Sequence, residues 1–215
     1  MKSVILSFLV FIAVSQISQH TNAQQLPEIL QQVLKADTSY NTVRCKIEIH
    51  VEVAGLKIPD KEIALELEKG KEPKIKSEGM IFFPKRGVLG QYNEFLQTKC
   101  QSILIAEKPD TIVYKLVSLD NSTDWVTADM KLSKRDARVH EMLISTRKNG
   151  EFVVKHQYNR GSFVFPEKTE IGFVAMPIKF PLKFMGQKNS EPSVLNSDKP
   201  INGKVILHYS AIVVE

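Results

Sequence analysis

The chain has 215 residues and a formal net charge of +5 at pH 7, with 43% hydrophobic and 25% charged side chains. Charges of both signs are interspersed, and no basic cluster is interleaved with aromatic residues, which argues against a nucleic-acid-binding protein. The mild basic excess would suit an anionic membrane surface or an acidic partner, but an ordinary solvated surface also accounts for it.

Residues 1–23 have the pattern of a secretory signal peptide. Lys2 provides the charged start, residues 4–14 are the apolar segment, and a polar stretch closes on Ala23. This apolar segment is too short to span the ~30 Å of hydrocarbon in a bilayer. We therefore expect export, cleavage after Ala23, and one mature domain over residues 24–215, which is long enough for a sizeable core.

Residues 42–53 carry the clearest structural signal in the chain. Apolar side chains occupy every second position, namely Val43, Cys45, Ile47, Ile49, Val51 and Val53. The intervening side chains are polar, namely Arg44, Lys46, Glu48, His50 and Glu52. Strict alternation of this kind predicts a strand with one dry face and one wet face. The dry face must be covered, either by the protein's own side chains or by a guest molecule.

The rest of the mature chain predicts two helices and further antiparallel strands. Apolar residues recur at helical spacing over residues 26–40, and a short helix is predicted over 91–98 with Tyr92, Phe95 and Leu96 facing inward. Further strands are predicted at residues 63–67, 74–83, 102–106, 111–119, 125–131, 139–147, 151–158, 163–173 and 204–214. The total is about ten strands.

Asn149 and Gly150 form the strongest short hairpin signal in the sequence. A two-residue loop at this point pairs Lys148 with Glu151. In that register neither face of the hairpin is purely apolar, so we expect it to be partly covered on both sides.

Residues 174–200 form a long connection without a secondary-structure pattern. Its first part is rich in large apolar side chains, namely Met176, Ile178, Phe180, Leu182, Phe184 and Met185. Two interpretations stay open. These side chains either plug an open sheet edge or form a flexible wall that contacts an apolar ligand.

Cys45 and Cys100 are the two cysteines of the chain. In an oxidising compartment they can form one disulfide that closes a long loop. Cys45 also lies on the same face of the predicted strand as the apolar residues Val43 and Ile47, as expected of a buried free thiol. The sequence leaves both alternatives open.

Patterns of catalysis and metal binding are missing from the sequence. It has no His-x-x-x-His or Cys-x-x-Cys spacing, no Gly-x-Ser-x-Gly elbow and no phosphate loop. Glu48, His50 and Glu52 share one strand face, but a polar strand face is usually just the solvated side. We therefore expect no catalytic residue, metal or cofactor. An exported enzyme would need a polar, histidine-containing pocket assembled from dispersed residues.

Several stretches resemble the superfamily of LolA, the periplasmic carrier of outer-membrane lipoproteins, and RseB. The predicted N-terminal helix is followed by the long alternating strand. The run Lys-Glu-Pro-Lys-Ile-Lys at residues 71–76 resembles the family's "kP..f.w" strand. Residues 125–129, Trp-Val-Thr-Ala-Asp, resemble its "vWiD" strand, and a hairpin with Met142, Ile144 and Ser145 follows. The resemblance covers most of the mature chain through short motifs.

The resemblance implies an α+β fold, an open, incomplete antiparallel β-barrel around a hydrophobic cavity with helices as a lid. It also implies a periplasmic carrier that moves lipoprotein acyl chains from an inner-membrane transporter to an outer-membrane acceptor. The family's functional strand arginine is not assigned here, although Arg44 lies in the corresponding region.

We therefore predict a monomeric, non-enzymatic carrier of lipoprotein acyl chains or another apolar ligand. The predicted cavity residues are Ile47, Ile49, Val51, Ile63, Leu65, Leu67, Phe180 and Phe184. Ordinary core packing would select the same residue types. The alternative from another class is an RseB-like sensor or scaffold that binds a protein partner.

Overall fold

The computed structural model describes most of the predicted mature domain. The described residues are 26–37, 39–53, 57–69, 71, 73–77, 92–159, 165–175 and 201–215. The predicted signal peptide and the predicted cavity residues Phe180 and Phe184 lie outside them.

One antiparallel sheet of ten strands dominates the structure. The elements in chain order are α1 (Glu28–Asp37), β1 (Thr42–Val53), β2 (Lys61–Glu68), β3 (Lys74–Ser77), α2 (Asn93–Gln97), β4 (Cys100–Glu107), β5 (Thr111–Ser118), β6 (Trp125–Ser133), β7 (Val139–Thr146), β8 (Glu151–Gln157), β9 (Lys168–Ala175) and β10 (Ile201–Val214). The spatial order is β3-β2-β1-β10-β9-β8-β7-β6-β5-β4. Within the described residues β3 and β4 are unjoined edges, so the predicted open α+β barrel is confirmed.

The alternation along β1 sorts its side chains between the two faces of the sheet. Val43, Cys45, Ile47 and Ile49 are at most 6% exposed, whereas the intervening residues as far as Glu48 are exposed. We call the buried side the inner face. Neighbouring strands supply the rest of its apolar surface, including Leu65, Leu116, Met130, Met142, Val154, Ile171 and Leu207.

Both helices pack on the inner face, as a helical lid requires. Leu30 and Val33 of α1 are at most 3% exposed, and Phe95 and Leu96 of α2 at most 4%. The ring of Phe95 lies 5.3 Å, centroid to centroid, from that of Trp125 on β6. A helix as short as α2 is unstable in isolation, so tertiary packing of this kind holds it in place.

The hairpin of β7 and β8 shows that the predicted two-residue loop is wrong. Ser145, rather than Lys148, lies opposite Glu151. Compared with the predicted pairing, β7 is shifted along β8 by an odd number of residues, so different side chains share a face. In the observed register Ile144 and Val154 both lie on the buried inner face and are at most 7% exposed. The inner side of the hairpin is therefore mostly apolar, and its outer side is only partly covered, with Val153 intermediate and Leu143 37% exposed.

The longer hairpin loop has a physical cause in its polar side chains. The Thr146 hydroxyl donates to the carbonyl of Gly150 and accepts from the backbone N–H of Asn149, at 2.9 and 3.0 Å. The Asn149 amide donates to the Asp124 carboxylate at 2.9 Å. Gly150 takes a φ of 75°, which costs a glycine little. These hydrogen bonds stabilise a loop that is longer than the predicted two-residue turn.

Among the other strand starts, those of β9 and β10 differ most from prediction. β9 begins at Lys168 instead of residue 163, and Pro166 just before it has no backbone N–H to donate to a ladder. β10 begins at Ile201, which pairs with Ala175, so both strands extend further at this end. Among the described helices, none has the length and apolar character needed to cross a membrane.

Gly172 on β9, opposite Lys204, and Gly203 on β10, opposite Phe173, supply a matched test of packing. An alanine methyl at Gly203 would overlap the ring of Phe173, whereas at Gly172 the nearest atom is the Val153 carbonyl oxygen at 3.9 Å. We predict that Gly203→Ala lowers the free energy of unfolding by roughly 1–2 kcal/mol. Gly172→Ala should leave it within about 0.5 kcal/mol. Urea denaturation measures both.

Candidate functional site

The predicted cavity residues of β1 and β2 lie side by side on the inner face. Ile47 is directly opposite Ile63. Ile47, Ile49, Ile63, Leu65 and Leu67 are 0–5% exposed and belong to one hydrophobic cluster. The structure therefore brings these residues together as one covered apolar surface.

Apolar side chains at one end of the inner face are less covered. Val51 and Val205 lie opposite each other and are partly exposed. Phe152 and Phe173 form the neighbouring cross-strand pair and are also partly exposed. We call Val51, Val53, Val205, Phe152 and Phe173 the apolar rim. It is continuous with the buried inner face, because Val51, Val205 and Phe152 pack against the core cluster.

A polar cluster interrupts the inner face near the end of β8 that lies away from Phe152. His156 on β8 and Thr169 on β9 are 3% and 0% exposed, and His156 Nδ1 lies 2.9 Å from Thr169 Oγ1. Tyr209 on β10 is 6% exposed and forms a side-chain hydrogen bond with Thr169. The second ring nitrogen, His156 Nε2, is buried and has no hydrogen-bond partner among the described residues.

Aromatic rings flank the imidazole of His156. Tyr92 stands edge-on to it with ring centroids 6.2 Å apart, and Tyr158 lies at 6.1 Å. The hydroxyl groups of Tyr92 and Tyr158 are 3.3 Å apart. The guanidinium of Arg138 lies 5.1 Å from the centroid of the Tyr158 ring. Tyr92 immediately precedes α2, so the start of this helix lies beside the polar cluster while Phe95 within it contacts Trp125.

Burial keeps this polar cluster uncharged at neutral pH. Desolvation, aided by the nearby His140, lowers the pKa of His156 to about 4. Desolvation also raises the pKa of Tyr209 well above its ordinary value. A histidine with so low a pKa is a weak general base at pH 7. The cluster is therefore suited to holding neutral polar groups by hydrogen bonds.

The opposite side of the sheet, which we call the outer face, carries the polar residues that alternate with the apolar ones along β1. Arg44 contacts Glu66 at 3.3 Å and Glu215 at 3.0 Å, so its side chain points away from the inner face. His50 Nδ1 lies 2.5 Å from Asp60, which raises the pKa of His50. In the described part of the chain, no group of three His, Cys, Asp or Glu residues is arranged to hold a metal ion.

The two cysteines are free thiols in this structure. Cys45 is buried on the inner face, and burial raises its pKa to about 11. Cys100 is partly buried and its thiol donates to the Phe95 carbonyl at 3.4 Å. Of the two alternatives from the sequence, this structure has the unbridged one.

The edge strand β4 exposes three consecutive apolar side chains, of which Leu104 lies opposite Tyr114 and therefore on the inner-face side. Ile103, Leu104 and Ile105 are 41%, 49% and 51% exposed. β4 pairs with β5 on one side, and no described strand pairs with its other side. An open edge with exposed apolar residues is a surface on which another chain can add a strand.

Solved structures show which class of fold this sheet and its two helices form. A LolA-superfamily protein from Nitrosomonas europaea is 8% identical and has a TM-score of 0.50, with 87% of this chain and 92% of that chain covered. A putative outer-membrane lipoprotein-sorting protein domain from Vibrio parahaemolyticus is 9% identical, with a TM-score of 0.53 and coverages of 90% and 94%. A DUF1329 family protein from Desulfovibrio piger is 5% identical, with a TM-score of 0.52 and coverages of 87% and 92%.

These similarities confirm the predicted resemblance as a similarity of fold. The chain has the open, LolA-like architecture over most of its length. No protein-family model matches the sequence. No curated protein matches it either. At 5–9% identity the fold is shared, while ligand and partners have to be argued from this chain's own residues.

The buried histidine predicts a specific loss of stability in acid. Between pH 6.5 and about 4 the unfolded chain binds a proton at His156 that the folded chain does not. The free energy of unfolding should therefore fall by roughly 3 kcal/mol as the pH falls through this window. Denaturant unfolding at several pH values measures it. His156→Phe should lose this component, whereas His208→Phe, at an exposed outer-face position, should keep it.

Proposed function

We propose that the protein is a non-enzymatic carrier that binds acyl chains of lipoproteins, or another apolar ligand, against the inner face of its sheet. The observation that carries this proposal is the apolar rim. Its partly exposed side chains continue directly into the buried inner face. A ligand that reaches the rim meets an apolar surface with few polar groups to desolvate.

The energetics of acyl chains supply the physical need for such a protein. Leaving a chain of about fifteen methylenes in water costs ~12 kcal/mol, at ~0.8 kcal/mol per methylene. An open sheet covered by short helices can shield the chain and still release it. A five-residue helix such as α2 depends on its tertiary contacts, so moving it costs little intrinsic helix stability.

The setting that fits this function is the bacterial periplasm. The predicted signal peptide would export the chain, and the LolA-like fold supports a place in lipoprotein sorting. Transfer would then run from an inner-membrane transporter to an outer-membrane acceptor, with the carrier acting as a monomer between them.

Charge placed on the rim should abolish binding of an apolar ligand. We expect Val51→Lys to weaken binding of the neutral fluorescent probe N-phenyl-1-naphthylamine by at least tenfold, because bound probe would desolvate the ammonium group. Glu48→Lys is the matched control, since it places the same side chain on the outer face of the same strand. Fluorescence titration measures both affinities.

The natural ligand is tested by mass spectrometry of the protein purified gently from its native compartment. A stoichiometric lipid or acylated peptide that displaces the probe would support the carrier. A ligand-free protein that also does not bind the probe would contradict the carrier function, provided that circular dichroism shows a folded sheet.

The exposed edge of β4 favours a second candidate function, an RseB-like scaffold that binds a protein partner. Ile103, Leu104 and Ile105 are three consecutive exposed apolar residues, whereas inner-face residues of the central strands such as Met142 and Leu207 are fully buried. An extended partner segment could pair with this edge and cover them.

Site-specific photocrosslinking in cells tests this second function. With p-benzoylphenylalanine at position 104 on β4, we expect one discrete crosslinked product, because the partner would lie on that edge. The same probe at exposed position 155, on a central strand paired on both sides, should give none. Equal crosslinking at both positions, or at neither, would contradict a docking edge.

A further inference from the structure

The polar cluster on the inner face has a hydrogen-bonding site that the fold itself leaves unused. His156 Nδ1 is occupied by Thr169, while Nε2 has no partner among the described residues and is shielded from bulk water. Leaving a buried polar atom unpaired destabilises the folded protein. Such an atom in an otherwise apolar face calls for a physical explanation.

One arrangement of the hydrogen bonds in the polar cluster places a proton on the unused atom. The buried Tyr209 hydroxyl shares a hydrogen bond with Thr169. Thr169 Oγ1 in turn lies 2.9 Å from His156 Nδ1, where the roles of donor and acceptor depend on the tautomer of the imidazole. When Tyr209 donates to Thr169 and Thr169 donates to Nδ1, the one N–H of the neutral imidazole is on Nε2. In this tautomer the unused Nε2 is a hydrogen-bond donor without an acceptor.

The position of this donor relates it to the apolar surface. Ile49 on β1, Leu207 on β10, Thr169 on β9 and His156 on β8 are successive cross-strand neighbours in one row of the inner face. Three strand spacings separate Ile49 from His156, roughly 14 Å. An apolar chain lying across the sheet along this row would end beside the imidazole.

We propose that His156 Nε2 is the anchor for the carbonyl oxygen of an ester- or amide-linked acyl chain, positioned by Thr169 and Tyr209. This inference rests on the proposed carrier function and specifies its ligand as an acyl derivative with a neutral carbonyl. A neutral donor suits this group, because no net charge has to be buried with it. The surrounding rings of Tyr92 and Tyr158 supply apolar contact on the flanks of the imidazole.

A matched pair of lipids tests the anchor. Ester-linked and ether-linked lysophosphatidylcholines of equal chain length, used below their critical micelle concentrations, differ only in the carbonyl group. In competition against N-phenyl-1-naphthylamine, the wild-type protein should bind the ester roughly five- to tenfold more tightly, the value of one neutral hydrogen bond. His156→Phe should bind both lipids equally, and His208→Phe should keep the preference.

A second variant and a spectroscopic readout protect the test against a folding defect in His156→Phe. Thr169→Val removes the hydroxyl that fixes the tautomer at nearly constant shape, so the ester preference should fall there too. In nitrogen-15 spectra of the wild-type protein, the Nε2 resonance of His156 should shift with the ester lipid and not with the ether lipid.

The outcomes separate this inference from the proposed function. Equal binding of the two lipids to the wild-type protein, or an unchanged Nε2 resonance with the ester bound, would overturn the anchor and leave the carrier standing. Failure of both lipids and of the probe to bind would overturn the carrier and the anchor together.

Discussion

The pairing of β1 with β10 is the contact on which the rest of the structure depends. It joins the first and last strands of the chain, from Val43 opposite Val214 to Val53 opposite Gly203. The strands β2 and β3 are added on one side, and the meander from β9 back to β4 on the other. The other strand pairs, apart from that of β9 with β10, are short hairpins or near neighbours. A one-residue slip between β1 and β10 would turn their apolar residues towards water, so burial fixes this register.

The inner face combines the roles of core and candidate binding surface. Its central residues, such as Ile47 and Leu207, are fully buried and stabilise the sheet as any core does. The rim residues Val51 and Phe152 have the same parity but are only partly covered. This gradient along the strands explains how one set of side chains can stabilise the fold and still offer a ligand an apolar surface at one end.

Burying the polar cluster lowers the stability of the fold, so its presence needs an explanation other than stability. Thr169 and His156 are the buried polar residues of the described structure, and both lie on the inner face. Apolar residues at these positions would avoid the desolvation of an imidazole and a hydroxyl group. Under the proposed carrier function, a requirement for specific recognition would account for the arrangement. The apolar surface would then supply affinity, and directional hydrogen bonds would supply selectivity.

The pattern of a few consecutive residues was sufficient to predict most helices and strands of the fold. The period of two in β1, the helical spacing around Leu30 and the inward positions of Phe95 and Leu96 are each properties of a few consecutive residues, and the structure confirms them. The number of strands and the resemblance to LolA also followed from the sequence. The register of the β7–β8 hairpin did not, because its loop is fixed partly by Asp124, which is distant in sequence.

The sequence by itself determined which side of β1 is dry, since strict alternation decides that residue by residue. Only the tertiary structure decided how well the dry side is covered, because that depends on what the helices and neighbouring strands place over it. For the same reason the sequence did not predict the polar cluster. His156, Thr169 and Tyr209 are on three strands, and only the pairing of those strands brings their side chains together.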